Sequence, residues 1–207
     1  MESDALNRLV SEIVDHGWSI IDPFVPPSVS EALLAEARDL QTRGAFSPAG
    51  VGRLDRQQVR PEIRGDSIRW ITPEPATPAR EHYLNEVESI RERLNRDLYL
   101  GLQSFEAQFA VYPPGAFYRP HFDRFDDADE RAVSLLLYLN QSWTMEDGGA
   151  LRLHLAGGTA DVLPRAGLAV IFLSDRIEHE VLPARRERFS LAGWYRRGSL
   201  RDVITSR

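Results

Sequence analysis

The sequence predicts an α+β fold in which the helices come first and a β-domain follows. Two observations predict this fold. Apolar residues recur at helical spacing through the first 100 residues, and from residue 105 the hydrophobic period changes to two. Seven or eight short strands separated by turns rich in Gly, Pro and Asp are typical of a sandwich, a jelly roll or a barrel. Because the helices all precede the strands, we expect them to pack as a layer on one face of the β-domain.

Two helices with a short strand between them are predicted at the N-terminus. The first helix carries apolar residues at helical spacing and ends near Gly17, and the strand covers residues 18–22. The second helix opens after Pro26, with Ser28 or Ser30 as the candidate N-cap.

A long loop separates these elements from the rest of the predicted fold. Residues 43–66 are rich in glycine and charge and have little periodicity, and long ordered loops in compact domains are usually functional. A short strand at 68–71 and an amphipathic helix at 80–99 follow. The predicted strands of the β-domain are 105–112, 117–123, 132–139, 150–155, 159–163, 168–173, 179–183 and 188–196.

The chain contains no lysine and no cysteine, and its 25 residues of the Lys and Arg class are all arginines. Without cysteine there is no thiol nucleophile, disulfide, iron–sulfur cluster or thiolate zinc site. Without lysine there is no Schiff base, pyridoxal phosphate anchor or P-loop lysine. Catalysis must therefore come from His, Asp, Glu, Tyr, Ser, Arg or a bound metal.

Length, charge and hydropathy favour one soluble domain that spans residues 1–207. The net charge of −6 argues against a nucleic-acid partner, because neutralising phosphates requires a basic face. No apolar run approaches the roughly 18 residues of a membrane span, and the first residues lack a signal-peptide pattern. We therefore expect no membrane partner and a cytoplasmic location, while no pattern indicates the oligomeric state.

Two histidines and one aspartate in the predicted strands suggest a metal site. His121 and Asp123 are two residues apart, so on a strand their side chains point to the same face. His179 follows 58 residues later, at the start of another predicted strand. Two imidazoles and one carboxylate match the facial triad of non-haem Fe(II) oxygenases. The alternative is a surface His and Asp in a turn, and the context decides between the two.

The context is an arginine on the strand that follows His179. Arg188 opens that strand, and Ser190 shares its face. A buried arginine requires an anion, and its planar guanidinium suits a carboxylate in bidentate geometry. The combination predicts a dicarboxylate oxo-acid that chelates the metal at one end and meets Arg188 at the other.

An ordered set of short motifs extends this pattern over nearly the whole chain. The motifs lie at residues 63–66, 70–71, 112–113, 118–123, 137–140, 148–153, 174–176, 179–181, 188–190 and 194–195. Together they resemble the Fe(II)/2-oxoglutarate-dependent prolyl hydroxylases, in particular bacterial members of the oxygen-sensor type. Collagen-type relatives place a lysine at the distal carboxylate of 2-oxoglutarate, and this chain has Arg188 and no lysine.

The resemblance implies a double-stranded β-helix (jelly-roll) core with N-terminal helices packed on one face. Residues 1–100 would form the helical support layer and a substrate-side loop, and residues 101–207 would form the catalytic β core. The implied cofactors are Fe(II) and 2-oxoglutarate, with O₂ as co-substrate and ascorbate as reductant.

The resemblance also implies roles for individual residues. His121, Asp123 and His179 would bind Fe(II), and Arg188 would hold the distal carboxylate of 2-oxoglutarate. The other implied cofactor-binding residues are Tyr138 beside that carboxylate, Tyr112 near the chelating end, and Trp194 and Leu151 in the pocket wall. Ser190, on the same face as Arg188, is a candidate second partner for the carboxylate. Asp66 and Arg131 are expected to form an ion pair that holds the segment after the long loop.

The function implied by the resemblance is 4-hydroxylation of a prolyl residue in a protein loop, with succinate and CO₂ as co-products. The expected partner is a protein or peptide that bears a proline, and similar bacterial proteins suggest elongation factor Tu. A 2-oxoglutarate oxygenase that acts on a small molecule or on another residue type is the alternative within enzymes. A non-catalytic β-barrel module that binds metal or peptide is the alternative of another class.

Overall fold

The computed structural model describes residues 3–50, 58–72, 77–124 and 130–198. Residues 51–57 of the predicted substrate-side loop lie outside the described residues. The helices are α1 (Ser3–His16), α2 (Pro27–Thr42) and α3 (Pro78–Leu98). The strands are β1 (Trp18–Ile21), β2 (Ser47–Pro48), β3 (Ser67–Trp70), β4 (Leu102–Tyr112), β5 (Tyr118–His121), β6 (Arg131–Tyr138), β7 (Leu151–Leu155), β8 (Gly158–Val162), β9 (Ala169–Leu173), β10 (Glu178–Val181) and β11 (Arg188–Arg197).

The strands form two antiparallel sheets that face each other. The larger sheet has the strand order β1-β9-β6-β11-β4-β3-β2, and the smaller one has the order β5-β10-β7-β8. The two facing antiparallel sheets agree with the predicted jelly-roll core. Strand β2 falls within the predicted long loop, where its two residues pair with β3.

The central strands of the larger sheet separate two cores by alternation. On β4, β6 and β11 the odd-numbered apolar residues pack against the helices, and the even-numbered ones face the smaller sheet, except that Leu102 and Ala132 near the strand starts join the helix-side core. The helix-side core includes Leu135 and Leu191, and the inter-sheet core includes Tyr112 and Tyr138. The alternation that predicts these strands therefore also predicts which of their residues pack in the helix-side core and which line the cavity.

The three helices cover the face of the larger sheet that lies away from the smaller sheet. Tyr195 of β11 donates a hydrogen bond from its hydroxyl to the carbonyl of Val87, 2.9 Å away, and ties α3 to the sheet. The expectation that the helices form one layer on the β-domain is confirmed. None of the helices in the described parts of the chain is both long enough and apolar enough to cross a bilayer.

The predicted N-cap of the second helix is wrong. Pro26 occupies the cap position and accepts no side-chain hydrogen bond, and Ser28 lies inside the first turn. Ser30 also lies inside the helix, where its hydroxyl donates to the carbonyl of Pro27, 2.9 Å away. Pro27 occupies the first helical position, where its φ is already fixed near the helical value and it has no N–H that needs a partner. The helix therefore starts without a side-chain cap.

Gly193 on β11 tests the packing between the larger sheet and the helices. A Cβ built at Gly193 would overlap the ring of Phe105, which in turn lies 4.7 Å from the ring of Tyr195. We expect Gly193→Ala to destabilise the protein by about 1–3 kcal/mol, because the crowded ring has to move. Thermal denaturation measures this change. Gly157→Ala is the matched control, since a Cβ at Gly157 meets nothing within 4 Å; equal melting temperatures for the two variants would contradict the prediction.

Candidate functional site

A cavity of about 130 Å³ lies between the two sheets. Even-numbered residues of β4 and β11 form one wall, and residues of β7 and β10 form the opposite wall. Most of the residues singled out from the sequence line it: His121, Asp123, His179, Arg188, Tyr112, Ser190, Trp194, Leu151, Asp66 and Arg131. Tyr138 is fully buried in the inter-sheet core, and its ring lies next to Arg188.

The two histidines and the aspartate of the predicted metal site come together in this cavity. His179 pairs directly with His121 across β10 and β5, and Asp123 follows just after β5. The Nε2 atoms of both histidines lie 3.7 Å from oxygens of Asp123. The three potential ligand atoms all lie within 4.8 Å of one another.

The hydrogen bonds of the two imidazoles leave the Nε2 atoms available as ligands. The Nδ1 atom of His121 lies 2.8 Å from the carbonyl of Arg119, and that of His179 lies 3.1 Å from the carbonyl of Ile177. A carbonyl only accepts, so each Nδ1 carries a hydrogen, and in the neutral ring the lone pair is then on Nε2. Burial lowers the pKa of His179 to about 4, against the opposing attraction of Asp123, so this imidazole is neutral at pH 7.

Asp123 is buried and held by a serine pair. The hydroxyl of Ser134 donates to Oδ2 of Asp123 at 2.7 Å, and the Ser134 and Ser174 hydroxyl oxygens are 2.9 Å apart. Burial by itself would raise the pKa of Asp123, but the two imidazoles and the Ser134 hydrogen bond outweigh it and lower that pKa below its usual value. The carboxylate is therefore ionised at neutral pH.

These groups fit a divalent metal ion. Two imidazole lone pairs and a carboxylate converge within 4.8 Å of one another. Lone pairs and a buried negative charge at this separation repel one another unless a cation lies between them. Two neutral imidazoles and one carboxylate are the donor set that suits Fe(II) and leaves further coordination positions open.

Three side chains form a stack: an arginine lies over a tyrosine ring, and the tyrosine ring lies over one of the two histidines. The ring of Tyr118 lies 3.6 Å from the ring of His121 with an interplanar angle of 19°. The guanidinium of Arg64 lies 4.5 Å from the ring centre of Tyr118. Asp66 accepts two hydrogen bonds from Arg64, at 2.6 and 2.7 Å, and fixes the guanidinium in this position.

The other end of the cavity holds a buried arginine. Arg188 is 1% exposed. Its Nε donates to the carbonyl of Gly149 at 2.9 Å, and its Nη1 lies 3.5 Å from the hydroxyl of Ser190. Its Nη2 has no hydrogen-bond partner, and no carboxylate among the described residues forms an ion pair with it.

Two tyrosines flank this guanidinium. The rings of Tyr138 and Tyr112 lie 5.0 and 5.2 Å from the Cζ of Arg188. The buried hydroxyl of Tyr138 also lacks a hydrogen-bond partner in the part of the chain that the structure describes. Burial raises the pKa of Tyr138 to about 12, although Arg188 opposes the shift, so the phenol stays neutral and can donate. An unpaired guanidinium N–H₂ beside an unpaired O–H fits the carboxylate of a bound acid.

The predicted ion pair between Asp66 and Arg131 is wrong. Both carboxylate oxygens of Asp66 bind Arg64 instead, which is only two residues away. Arg131 pairs with Glu106 at 2.8 Å, and its guanidinium lies 3.8 Å from the ring centre of Trp194. The two residues still line the same cavity, but they belong to separate networks of charged groups.

Several residues that line the cavity or hold its ligands are not predicted by the sequence. Arg64 lies in a motif quoted above without a role of its own, and Gln108 and Ser134 lie in apolar strands. Their even numbers on β4 and β6 place the last two on the cavity face. Period-two alternation combined with a polar side chain was the available signal for both of them.

Comparison with known proteins matches residues 107–196 to the family described as the 2OG-Fe(II) oxygenase superfamily. The chain is 32% identical over 214 residues to the hypoxia-inducible factor prolyl hydroxylase of Caenorhabditis elegans. That match covers 94% of this chain and 28% of the relative, so the chain spans less than a third of the relative's length.

Two solved structures are similar over most of their length. A Pseudomonas putida prolyl-4-hydroxylase is 47% identical with a TM-score of 0.86, and the match covers 94% of this chain and all of that one. A Trichoplax adhaerens prolyl hydroxylase in complex with a peptide of the hypoxia inducible factor oxygen degradation domain is 30% identical with a TM-score of 0.85. That match covers 93% of this chain and 89% of the other.

The serine that binds Asp123 offers a test of the metal site. We expect Ser134→Ala to weaken binding of Mn(II), a stand-in for Fe(II), by about 10- to 100-fold, because the carboxylate loses the hydrogen bond that orients it. Ser174→Ala should have a smaller effect, since the hydroxyl of Ser174 bonds to that of Ser134 and not to the carboxylate. Titration calorimetry measures the affinities, with Ser104→Ala on the exposed part of β4 as the control. Unchanged affinity in Ser134→Ala would show that the hydrogen bond does not orient the ligand.

Proposed function

The chain belongs to the prolyl hydroxylase family of the 2OG-Fe(II) oxygenase superfamily, and on this premise we propose that it hydroxylates C4 of a prolyl residue in a protein loop. The cofactors are Fe(II) and 2-oxoglutarate, with O₂ as co-substrate. The observation that carries the proposal is the presence in one cavity of a three-ligand cluster and a buried arginine that lacks an anion.

Each end of the cavity has its own task in this proposal. His121, Asp123 and His179 hold Fe(II), and Arg188 holds the distal carboxylate of 2-oxoglutarate. Tyr138 donates to the same carboxylate, since its hydroxyl is buried, neutral and unpaired. When bound, Fe(II) and 2-oxoglutarate would activate O₂, the oxidant: one oxygen atom would enter the prolyl C–H bond and the other would enter succinate, which leaves with CO₂.

The remaining predicted residues shape the cavity between these two ends. Ser190 accepts from Arg188 and keeps the guanidinium in place for the carboxylate. Tyr112 covers one face of Arg188, close to the chelating end of the co-substrate. Leu151 and Trp194 form apolar wall that excludes water from the reacting groups.

The proposal also names a class of substrate, a protein or peptide that bears a proline. The Trichoplax adhaerens relative binds a peptide of the hypoxia inducible factor oxygen degradation domain. A peptide substrate for this chain is supported by the open side of its cavity, where Trp70 is 44% exposed beside the buried Trp194. We propose a proline in a loop of elongation factor Tu as the first candidate.

Replacing the buried arginine separates co-substrate binding from metal binding. We expect Arg188→Met to weaken 2-oxoglutarate binding by about 10- to 100-fold, because a charge-assisted pair is lost. Mn(II) affinity should stay within about twofold, since Arg188 does not contact the triad. Calorimetry with each ligand measures the two affinities, and Arg165→Met, an exposed surface pair with Asp22, is the control. Equal losses for both ligands would indicate a merely structural arginine.

Mass spectrometry tests the prolyl reaction directly. Elongation factor Tu and its proline-bearing loop peptides are incubated with the protein, Fe(II), 2-oxoglutarate, ascorbate and O₂. We expect one proline to gain one oxygen atom, amino-acid analysis to yield 4-hydroxyproline, and Asp123→Ala to produce neither. Succinate formation without oxygen on any proline of the panel would disprove the prolyl substrate and leave the oxygenase activity standing.

A further inference from the structure

Gln108 is a buried amide in the cavity that the proposed chemistry does not use. It lies in the middle of β4, where it pairs with Trp70 of β3 on one side and with Ala192 of β11 on the other. The residue is 3% exposed, and its Oε1 has no hydrogen-bond partner among the described residues. An unpaired buried carbonyl oxygen costs free energy, so its place on the cavity wall indicates a ligand group that donates to it.

A second buried amide, that of Asn140, has a structural role, and its polar atoms are all hydrogen-bonded. Asn140 donates from Nδ2 to the carbonyls of Pro164 and Phe189, at 2.8 and 3.0 Å. Its Oδ1 accepts from the backbone N–H of Phe189 at 2.7 Å. Asn140 thus binds three backbone groups, whereas no group among the described residues donates to the oxygen of Gln108, although this residue lines the cavity.

A complementary donor lies next to Gln108. The indole Nε1 of Trp194 is buried and also lacks a partner among the described residues. Trp194 follows Ala192 by two residues on β11, so its side chain lies diagonally across from Gln108 on the same face. Two residues that line the cavity, diagonal neighbours on adjacent strands, thus hold one unpaired acceptor and one unpaired donor among the described residues.

These two groups lie at the end of the cavity away from Arg188. Arg188 pairs with Tyr112 in the β11–β4 register, and Ala192 pairs with Gln108. The two pairs are four positions apart along each strand, which corresponds to about 13 Å at the usual rise per residue. Trp70, the other partner of Gln108, is exposed at the mouth. The amide therefore faces the side from which a macromolecular substrate enters.

We propose that Gln108 and Trp194 bind the peptide backbone of the substrate next to the target proline, an inference that rests on the proposed prolyl hydroxylation. A proline has no N–H of its own, so its backbone offers carbonyls and then the N–H of the following residue. Gln108 Oε1 accepts from that N–H, and Trp194 Nε1 donates to a neighbouring carbonyl. The pair recognises backbone, so it sets the orientation of the peptide independently of its side chains.

The test compares a proline peptide with an analogue that lacks one N–H. The hydroxylated peptide found by mass spectrometry is remade with an ester in place of the amide after the target proline. We expect the ester to raise KM about five- to tenfold with the natural protein, the loss of one hydrogen bond. Gln108→Met should raise KM of the amide peptide by a similar factor and should not distinguish the amide from the ester.

Controls separate recognition from structure. Gln103→Met, on the exposed part of β4, should behave like the natural protein. The KM for 2-oxoglutarate should not change in Gln108→Met, because Arg188 lies at the other end. Gln108→Met should also melt no lower than the natural protein, since it removes an unpaired polar atom. A Gln108→Met variant that still prefers the amide peptide as strongly as the natural protein does would overturn the inference.

A binding measurement covers the case in which no proline peptide is turned over. That result disproves the proposed function by itself. The protein loaded with Zn(II) and 2-oxoglutarate is then titrated with N-acetylproline N-methylamide and with N-acetylproline methyl ester, followed by NMR. A preference for the amide that disappears in Gln108→Met supports the backbone contact. Equal or absent binding of the two probes contradicts it.

Discussion

The register between β5 and β10 is the constraint on which the candidate site depends. It sets His121 directly opposite His179 and brings Asp123, just past the strand, within 3.7 Å of both imidazoles. Because side chains alternate along a strand, a slip of one residue would turn one histidine to the outer face of the smaller sheet. The pairing of β10 with β7 on its other side holds this register from both edges. Backbone pairing thus brings the metal ligands together, and side-chain contacts such as the Ser134 hydrogen bond to Asp123 then orient them.

The sequence was informative wherever function follows strand alternation. Period-two patterns predicted the strands, the triad and the place of Arg188, because alternation alone decides which face a side chain takes. Ion-pair partners were not predictable in the same way. Asp66 binds Arg64, whose guanidinium also stacks on Tyr118, while Arg131 stacks on Trp194 and binds an acid of β4. The partner of Arg131 depends on how two distant segments meet in three dimensions, which no local pattern records, and the spacing of two between Arg64 and Asp66 does not by itself identify them as a pair.

Four polar groups in or beside the cavity have a buried atom without a hydrogen-bond partner among the described residues, as does the hydroxyl of Tyr83 in the helix-side core. The guanidinium of Arg188, the hydroxyl of Tyr138, the amide of Gln108 and the indole of Trp194 each keep one buried polar atom without a partner. Elsewhere Asn140 shows the same chemistry fully bonded. The fold thus accepts a loss of stability at the site so that the groups are already desolvated and oriented when ligands arrive, which reduces the cost of binding.

The stack of Arg64, Tyr118 and His121 has a consequence for how such a protein can diversify. One end of the stack is a proposed metal ligand, and the other belongs to the last residues of the long loop. Backbone bonds join the same two segments, from Gly65 to Phe117. Substitutions earlier in the loop can change which partner proteins bind there without changing the contacts of the proposed metal ligands. A change at Arg64 would disturb the loop and the surroundings of His121 together, because Arg64 stacks on Tyr118 and Tyr118 stacks on His121. Substitutions that adapt the protein to a new partner are therefore expected outside Arg64.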